Sequence, residues 1–214
     1  MIKGIILDMD GLISDTEKLH MKAFIKAFDD YNIPLNEEEY RAYWIRDGLG
    51  TDDVLELKGS DMDARVVRDR KKEYFDILLE EELKPMPYAL EFIKHFYGRV
   101  PMAVASASPR YVVLYVLEKF DILKYIEFFL SADDLINRKT DTEVWIKSAE
   151  ELGLKPEECI AIEDAEKGVK AAFNGNMPVI AIPNEETMDN DFKNATYMAK
   201  DMKEAVEIVE NLIK

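Results

Sequence analysis

The sequence is poor in residues that make covalent or metal staples. It has one cysteine, Cys159, and two histidines, His20 and His95. One thiol cannot close an internal disulfide, and alone it cannot build a zinc site. Basic side chains are outnumbered, with 28 Lys and Arg against 44 Asp and Glu, a net charge of −16 at pH 7. Such a field repels phosphate backbones and anionic lipid, so no nucleic acid and no membrane is expected as a partner. No apolar run approaches the ~20 residues that span a bilayer. No basic segment with a cleavage site precedes the first strand, so no signal peptide is expected. Internal repeats and low-complexity tracts are also missing. The expected setting is cytoplasmic, and the expected state is a monomer or weak dimer. What remains is 214 residues, 48% of them hydrophobic, enough for a buried core in one large domain or one and a half.

The opening Ile2–Asp8 is short, β-branched and almost continuously apolar, as in a strand buried on both faces. Similar runs follow at Pro101–Ser106, Phe128–Ala132, Cys159–Glu163 and Val179–Ile182. Between them lie helical stretches at Ala89–Phe96, Tyr111–Phe120, Thr142–Leu152 and Glu166–Phe173, and the chain closes on Met202–Ile213. Strand alternating with helix predicts an α/β fold, a doubly wound parallel sheet covered on both sides. One interval breaks the alternation. From about Thr16 to Leu83 only helical patterning is present. Leu19, Ala23, Ala27, Phe28 and Tyr31 line one stripe, and Tyr74, Ile77 and Leu78 line another, punctuated by Pro34, Gly48, Gly50 and Gly59. The expected organisation is therefore an α/β core of residues 1–14 and 84–214 with an inserted helical domain at 15–83.

Ligands of open α/β sheets bind outside the carboxyl ends of the strands. Asp8 and Asp10 follow the first strand, Ser106 and Ser108 the second, Lys139 the third after a short connection, and Glu163 and Asp164 the fourth. Taken singly, each has a plain explanation: a turn acid, a helix cap, a surface lysine, acids favoured by a helix N-terminus. Their joint position at strand ends decides otherwise. Clustered carboxylates repel one another and raise their own pKa values unless a cation holds them ionised. Mg²⁺, a hard ion with oxygen ligands, suits them. A lysine and a hydroxyl can hold a phosphoryl group, one carboxylate can serve as nucleophile, and a second can handle the leaving group's proton. The set points to phosphoryl transfer.

The motifs Asp8-Met9-Asp10-Gly11-Leu12-Ile13-Ser14-Asp15-Thr16, Ala105-Ser106-Ala107-Ser108, Lys139, and Ile162-Glu163-Asp164 through Ala172 resemble, in order and spacing, the four motifs of the haloacid dehalogenase superfamily. The likeness is to the helical-cap subgroup, nearest the β-phosphoglucomutase-like phosphatases. The resemblance implies a HAD-like core with an α-helical cap. It implies that Asp8 becomes an aspartyl-phosphate, that Asp10 acts as acid and then base, and that Ser106, Ala107 and Lys139 bind phosphate. Asp8, Asp10 through its backbone carbonyl, and Asp164 would hold Mg²⁺, with Glu163 either a further ligand or a partner of the ligands. Such a protein would hydrolyse a small phosphorylated metabolite, a sugar phosphate being the expected class. The pattern departs from the subgroup after the lysine, where Lys139-Thr140-Asp141-Thr142-Glu143 lacks two prolines.

In the expected cap, His20, Arg46, Thr51 and Arg70 are candidate substrate residues. A mutase must hold a bisphosphorylated intermediate, and the mutases of the subgroup place an arginine three residues after a cap glycine. Here Gly48-Leu49-Gly50-Thr51 puts a neutral side chain there, which favours hydrolysis over isomerisation. Arg70 resembles a second basic position. A receiver-like signalling domain would be shorter and lack the helical insert. A silent binding protein would be suggested by loss of Asp8, Asp10 or Lys139, and all three are present.

Overall fold

The computed structural model describes residues 1–135 and 142–213. They form two compact units, Met1–Ser14 with Pro85–Lys214, and Asp15–Lys84. The strands are β1 (Gly4–Leu7), β2 (Met102–Ala105), β3 (Phe128–Leu130), β4 (Cys159–Glu163), β5 (Val179–Ala181) and β6 (Tyr197–Met198). The helices are α1 (Thr16–Asp30), α2 (Glu37–Tyr40), α3 (Thr51–Leu57), α4 (Ala64–Glu82), α5 (Ala89–Phe96), α6 (Arg110–Lys119), α7 (Thr142–Glu151), α8 (Glu166–Asn174) and α9 (Met202–Leu212).

In the first unit the strands pair in parallel in the order β3-β2-β1-β4-β5-β6. The continuous apolar runs follow from burial on both faces. Ile6, Ala103, Ala161 and Val179 lie on one face and pack with Trp145, Ala149, Val169 and Ala172 from α7 and α8. The alternate residues Ile5, Leu7, Val104, Ile160 and Ile162 are equally buried and so belong to the opposite face. Strand β6 was not foreseen. It has two residues, one half-buried and one exposed, so no apolar run announces it. Cys159 is buried in β4, and burial pushes its thiol up to about 12, as an inert core thiol requires.

The second unit is helical throughout its described elements, with α1 packed chiefly on α4. Its core gathers Ala27, Phe28, Ile33, Leu35, Val54, Leu55, Ala64 and Val67. Trp44 lies 4.6 Å from Phe24 and 5.1 Å from Tyr40, ring centroid to centroid, so it belongs to this core with Tyr43 beside it. The stripe expected on the last helix is rotated. Helix α4 buries Ala64, Val67, Phe75, Leu78 and Leu79 while Ile77 is exposed. Phe75 and Leu79, a turn apart, set that face, and Ile77 falls off it. A capping box between Asn36 and Glu39 starts α2, which runs on into a π-helical turn at Arg41–Arg46. Among the described residues, no helix is long and apolar enough to cross a membrane.

Candidate active site

From β1 the chain adds β2 and β3 on one side, then crosses to place β4 on the other. A sheet that reverses in this way opens a crevice beyond the carboxyl ends of the strands at the reversal. Asp8 directly follows β1, Ser106 follows β2, Glu163 closes β4 and Asp164 comes next. The register pairs Leu7 with both Val104 and Ile162, which brings these ends level. The Asp8 N–H donates to the Ile162 carbonyl at 3.0 Å, extending the ladder to the acid itself.

Three acids meet there. Asp8, Glu163 and Asp164 each offer a carboxylate oxygen, and these atoms all lie within 4.8 Å of one another. Glu163 and Asp164 are buried, and Asp8 and Asp10 are half-buried. Burial, and then the charges of Glu163, Asp10 and Asp164, hold the Asp8 carboxyl well above the usual carboxylate range, against a hydrogen bond from the Met9 backbone. Burial likewise pushes Glu163 up to about 7, although its Oε1 accepts from the Ala165 and Asp164 N–H groups at 3.0 and 3.2 Å. Such groups ionise together only with positive charge among them. Hard oxygen donors in this number fit a hard divalent cation such as Mg²⁺.

The turn after β1 is built around the Met9 carbonyl, which accepts from the Ile13 and Ser14 N–H groups at 2.9 and 3.0 Å. Gly11 sits in it at φ +85°, and a Cβ there would lie 2.4 Å from Asp164 Oδ2 and 2.9 Å from Asn184 Nδ2. Only glycine satisfies both the dihedral and the space. Asp10 is held from β2, since Ser106 Oγ donates to Asp10 Oδ2 at 2.9 Å and itself accepts from the Ser108 N–H at 2.9 Å. Ala107, next to it, is exposed. Lys139, with Thr140 and Asp141, lies outside the described residues, and Thr142, where the second proline is missing, opens α7.

The four remaining candidates lie in the helical unit. His20, on α1, stacks on Phe75 at 4.1 Å, and its Nδ1 is 2.6 Å from Lys71 Nζ. Desolvation, then the Lys71 charge, hold the imidazole well below its ordinary pKa. Arg46 is exposed and donates from Nε to Asp47 at 3.0 Å. Thr51 is buried at the start of α3. Arg70 donates to Asp30, to Glu73 at 2.6 Å and to the Tyr74 hydroxyl at 2.9 Å.

Two residues at the acidic cluster escape sequence reasoning. Gly168 lies inside α8, where a Cβ would come within 2.2 Å of the Glu163 carboxyl carbon. A glycine in the interior of a short helix is the signal that could have exposed it. Asn184, beyond β5, donates to Asp164 Oδ2 at 2.7 Å and to the Gly11 carbonyl at 3.0 Å. The strand-end rule, carried one strand further, reaches it.

A family model described as haloacid dehalogenase-like hydrolase matches residues 5–182. The chain is 32% identical over 176 residues to a phosphorylated carbohydrates phosphatase of Thermotoga maritima, covering 80% of each chain. It is 27% identical over 183 residues to fructose-1-phosphate phosphatase YqaB of Escherichia coli, covering 84% of this chain and 95% of that one. The crystal structure of a beta-phosphoglucomutase from Clostridium difficile superposes with a TM-score of 0.79 over 100% of this chain and 97% of that one. At 23% identity, that likeness is one of fold.

Proposed function

We propose a mechanism from one premise: the chain belongs to the haloacid dehalogenase-like hydrolase family. It is a phosphoric monoester hydrolase or phosphomutase. Between these, the proposal is hydrolysis of a small phosphorylated sugar through an aspartyl-phosphate. The observation that carries it is the convergence of Asp8, Glu163 and Asp164 within 4.8 Å at the strand ends, with Asp10 two residues beyond the first of them.

The carboxylates of Asp8, Glu163 and Asp164, with the backbone carbonyl of Asp10, would hold Mg²⁺. When bound, the ion supplies the positive charge that keeps these carboxylates ionised and offsets the charge on the phosphoryl oxygens. The Asp8 carboxylate attacks phosphorus, an O–P bond forms and the bond to the sugar oxygen breaks. Asp10, as the acid, delivers its proton to the departing alkoxide. It then takes a proton from water, whose oxygen attacks phosphorus and returns Asp8 as a carboxylate. The net change is ester plus water to alcohol plus phosphate. Asp10 must be steady for both transfers, and the bond from Ser106 Oγ supplies that hold. By its place in the motif, Lys139 would bind the phosphoryl oxygens together with Ser106 and Ala107.

Water as the acceptor is favoured by the basic residues of the helical unit. An enzyme that returns the phosphoryl group must retain a bisphosphorylated intermediate by a second, charge-assisted contact. Thr51 is buried and neutral, Arg46 is paired with Asp47, and Arg70 is paired with Asp30 and Glu73. Both arginines are already paired with acids of their own unit. The relatives named above act on phosphorylated carbohydrates and on fructose 1-phosphate, and sugar phosphates are the substrate class proposed here. The test supplies a panel of sugar phosphates with Mg²⁺, and separately β-glucose 1-phosphate with a trace of its 1,6-bisphosphate. Phosphate release should exceed glucose 6-phosphate formation. Glucose 6-phosphate forming much faster than phosphate would replace hydrolysis with isomerisation.

A further inference from the structure

We propose that Asn184 is a positioning residue for Asp164, and that it ties the loop after β5 to the turn after β1. The inference rests on Asp8, Glu163 and Asp164 as cation ligands, as proposed above. It begins with the orientation of one amide. Asn184 Oδ1 accepts from the Glu186 N–H at 2.8 Å, and the Thr187 hydroxyl lies 3.4 Å away. The Asn184 N–H in turn donates to Thr187 Oγ1 at 3.0 Å. Thr187 is 2% exposed and Glu186 9%, so this turn is packed rather than loose. With the carbonyl end consumed locally, the Nδ2 end must face the other way. It carries two N–H groups, and it has two acceptors, the Gly11 carbonyl at 3.0 Å and Asp164 Oδ2 at 2.7 Å. Reversing the amide would set oxygen against a carbonyl and a carboxylate, and nitrogen against an N–H. The network allows one orientation.

The loop is fastened at a second point. Asn190 Oδ1 accepts from the Glu166 N–H at 3.2 Å, and Glu166 Oε2 accepts from the Asp191 N–H at 3.0 Å. The segment that carries Asp164 is therefore tied to the loop after β5 at two points, Asp164 and Glu166. Residue type matters as well. A carboxylate at 184 would oppose Asp164, whereas a cation would compete with the metal for it. An amide fixes the plane of the carboxylate without altering the net charge of the site. Partners of this kind, which orient a ligand without touching the ion, typically change metal affinity 10–100-fold when removed.

The experiment compares wild type, Asn184→Ser, Asn184→Ala and Asp164→Asn. A serine hydroxyl can still cap the turn at residue 186, but it is too short to reach Asp164. Mg²⁺ is titrated into each metal-free protein by calorimetry and by thermal shift, and kcat is measured against Mg²⁺ concentration. The expected result is a ~10–100-fold weaker Mg²⁺ midpoint in Asn184→Ser and Asn184→Ala. The metal-free melting temperature of Asn184→Ser should stay near wild type, and kcat should recover at saturating Mg²⁺. If wild type binds Mg²⁺ and Asn184→Ser binds it equally well, the positioning role is overturned and the metal assignment stands. If Asn184→Ser only melts earlier, with its Mg²⁺ midpoint unmoved, Asn184 is a structural turn residue and the proposal fails. If wild type and Asp164→Asn both ignore Mg²⁺, the metal assignment fails and the proposal falls with it.

Discussion

Gly11→Ala tests whether the turn after β1 is shaped by Asp164. Two separate penalties add at this position. The first is the dihedral: a residue with a Cβ held at φ +85° costs roughly 1–2 kcal/mol in the left-handed region. The second is contact. The new Cβ would stand 2.4 Å from Asp164 Oδ2 and 2.9 Å from Asn184 Nδ2, so a buried carboxylate must move away from the amide that holds it. Losing a hydrogen bond to a charged group costs about 1.5–3 kcal/mol, giving a sum of roughly 2.5–5 kcal/mol. For a chain of this size each kcal/mol lowers Tm by about 2–4 °C. Gly153→Ala is the control in the same unit. It has φ +70° and nothing within 4 Å of the new Cβ, so only the dihedral penalty applies. Thermal unfolding of metal-free wild type and both variants by circular dichroism should place Gly11→Ala about 1.5–3 kcal/mol below Gly153→Ala. Adding millimolar Mg²⁺ should raise the Tm of wild type and of Gly153→Ala more than that of Gly11→Ala, whose Asp164 has been displaced. Equal losses in the two variants would refute the close approach, leaving the dihedral alone as the reason for glycine.

Asp8→Asn should abolish phosphate release while Tm stays at or above that of the metal-free wild type, because the amide keeps the shape, removes a charge from a crowded carboxylate group and is a far poorer nucleophile. Turnover close to wild type at matched Tm would exclude the covalent route. On the far side of the first unit, Glu210 is held down from 4.5 to about 2, first by Arg99 and then by His95, to which it bonds at 2.6 Å in each case. A carboxyl depressed in the folded state stabilises above its unfolded pKa and loses that contribution as pH falls through the folded value. Tm of wild type should therefore drop more steeply than that of Glu210→Gln between pH 4.5 and about 2, and 1 M salt should narrow the difference. Parallel curves would show that the cluster contributes nothing to stability.

The alternation of short apolar strands with helices made the α/β class legible, because a parallel sheet covered on both faces leaves no room for polar residues inside its strands. Five strands were visible for that reason, and Tyr197–Met198 was invisible because two residues at the sheet edge need no apolar run. Within the helical unit the stripe on α1 was readable from spacing. On α4 the residues Tyr74, Ile77 and Leu78 gave a face rotated from the buried one, which runs through Phe75, Leu78 and Leu79. Periodicity fixes that a helix has a buried side, and where hydrophobic residues fall on both sides of it, packing against α1 decides which is used.

The acidic cluster was legible for a chemical reason and its support was not, for a geometric one. Asp8, Glu163 and Asp164 stand immediately at the ends of adjacent strands β1 and β4, so topology alone makes them meet. Asn184, two residues after Ile182 and next to Pro183, looks in sequence like an ordinary turn residue capping its own backbone. It does that too, through Oδ1. The second use appears only once the turn has consumed the carbonyl end, because the remaining donors must then point across the crevice to the two groups nearest them, Asp164 and the Gly11 carbonyl. A side chain with two chemically distinct ends can satisfy a local rule with one and the site with the other.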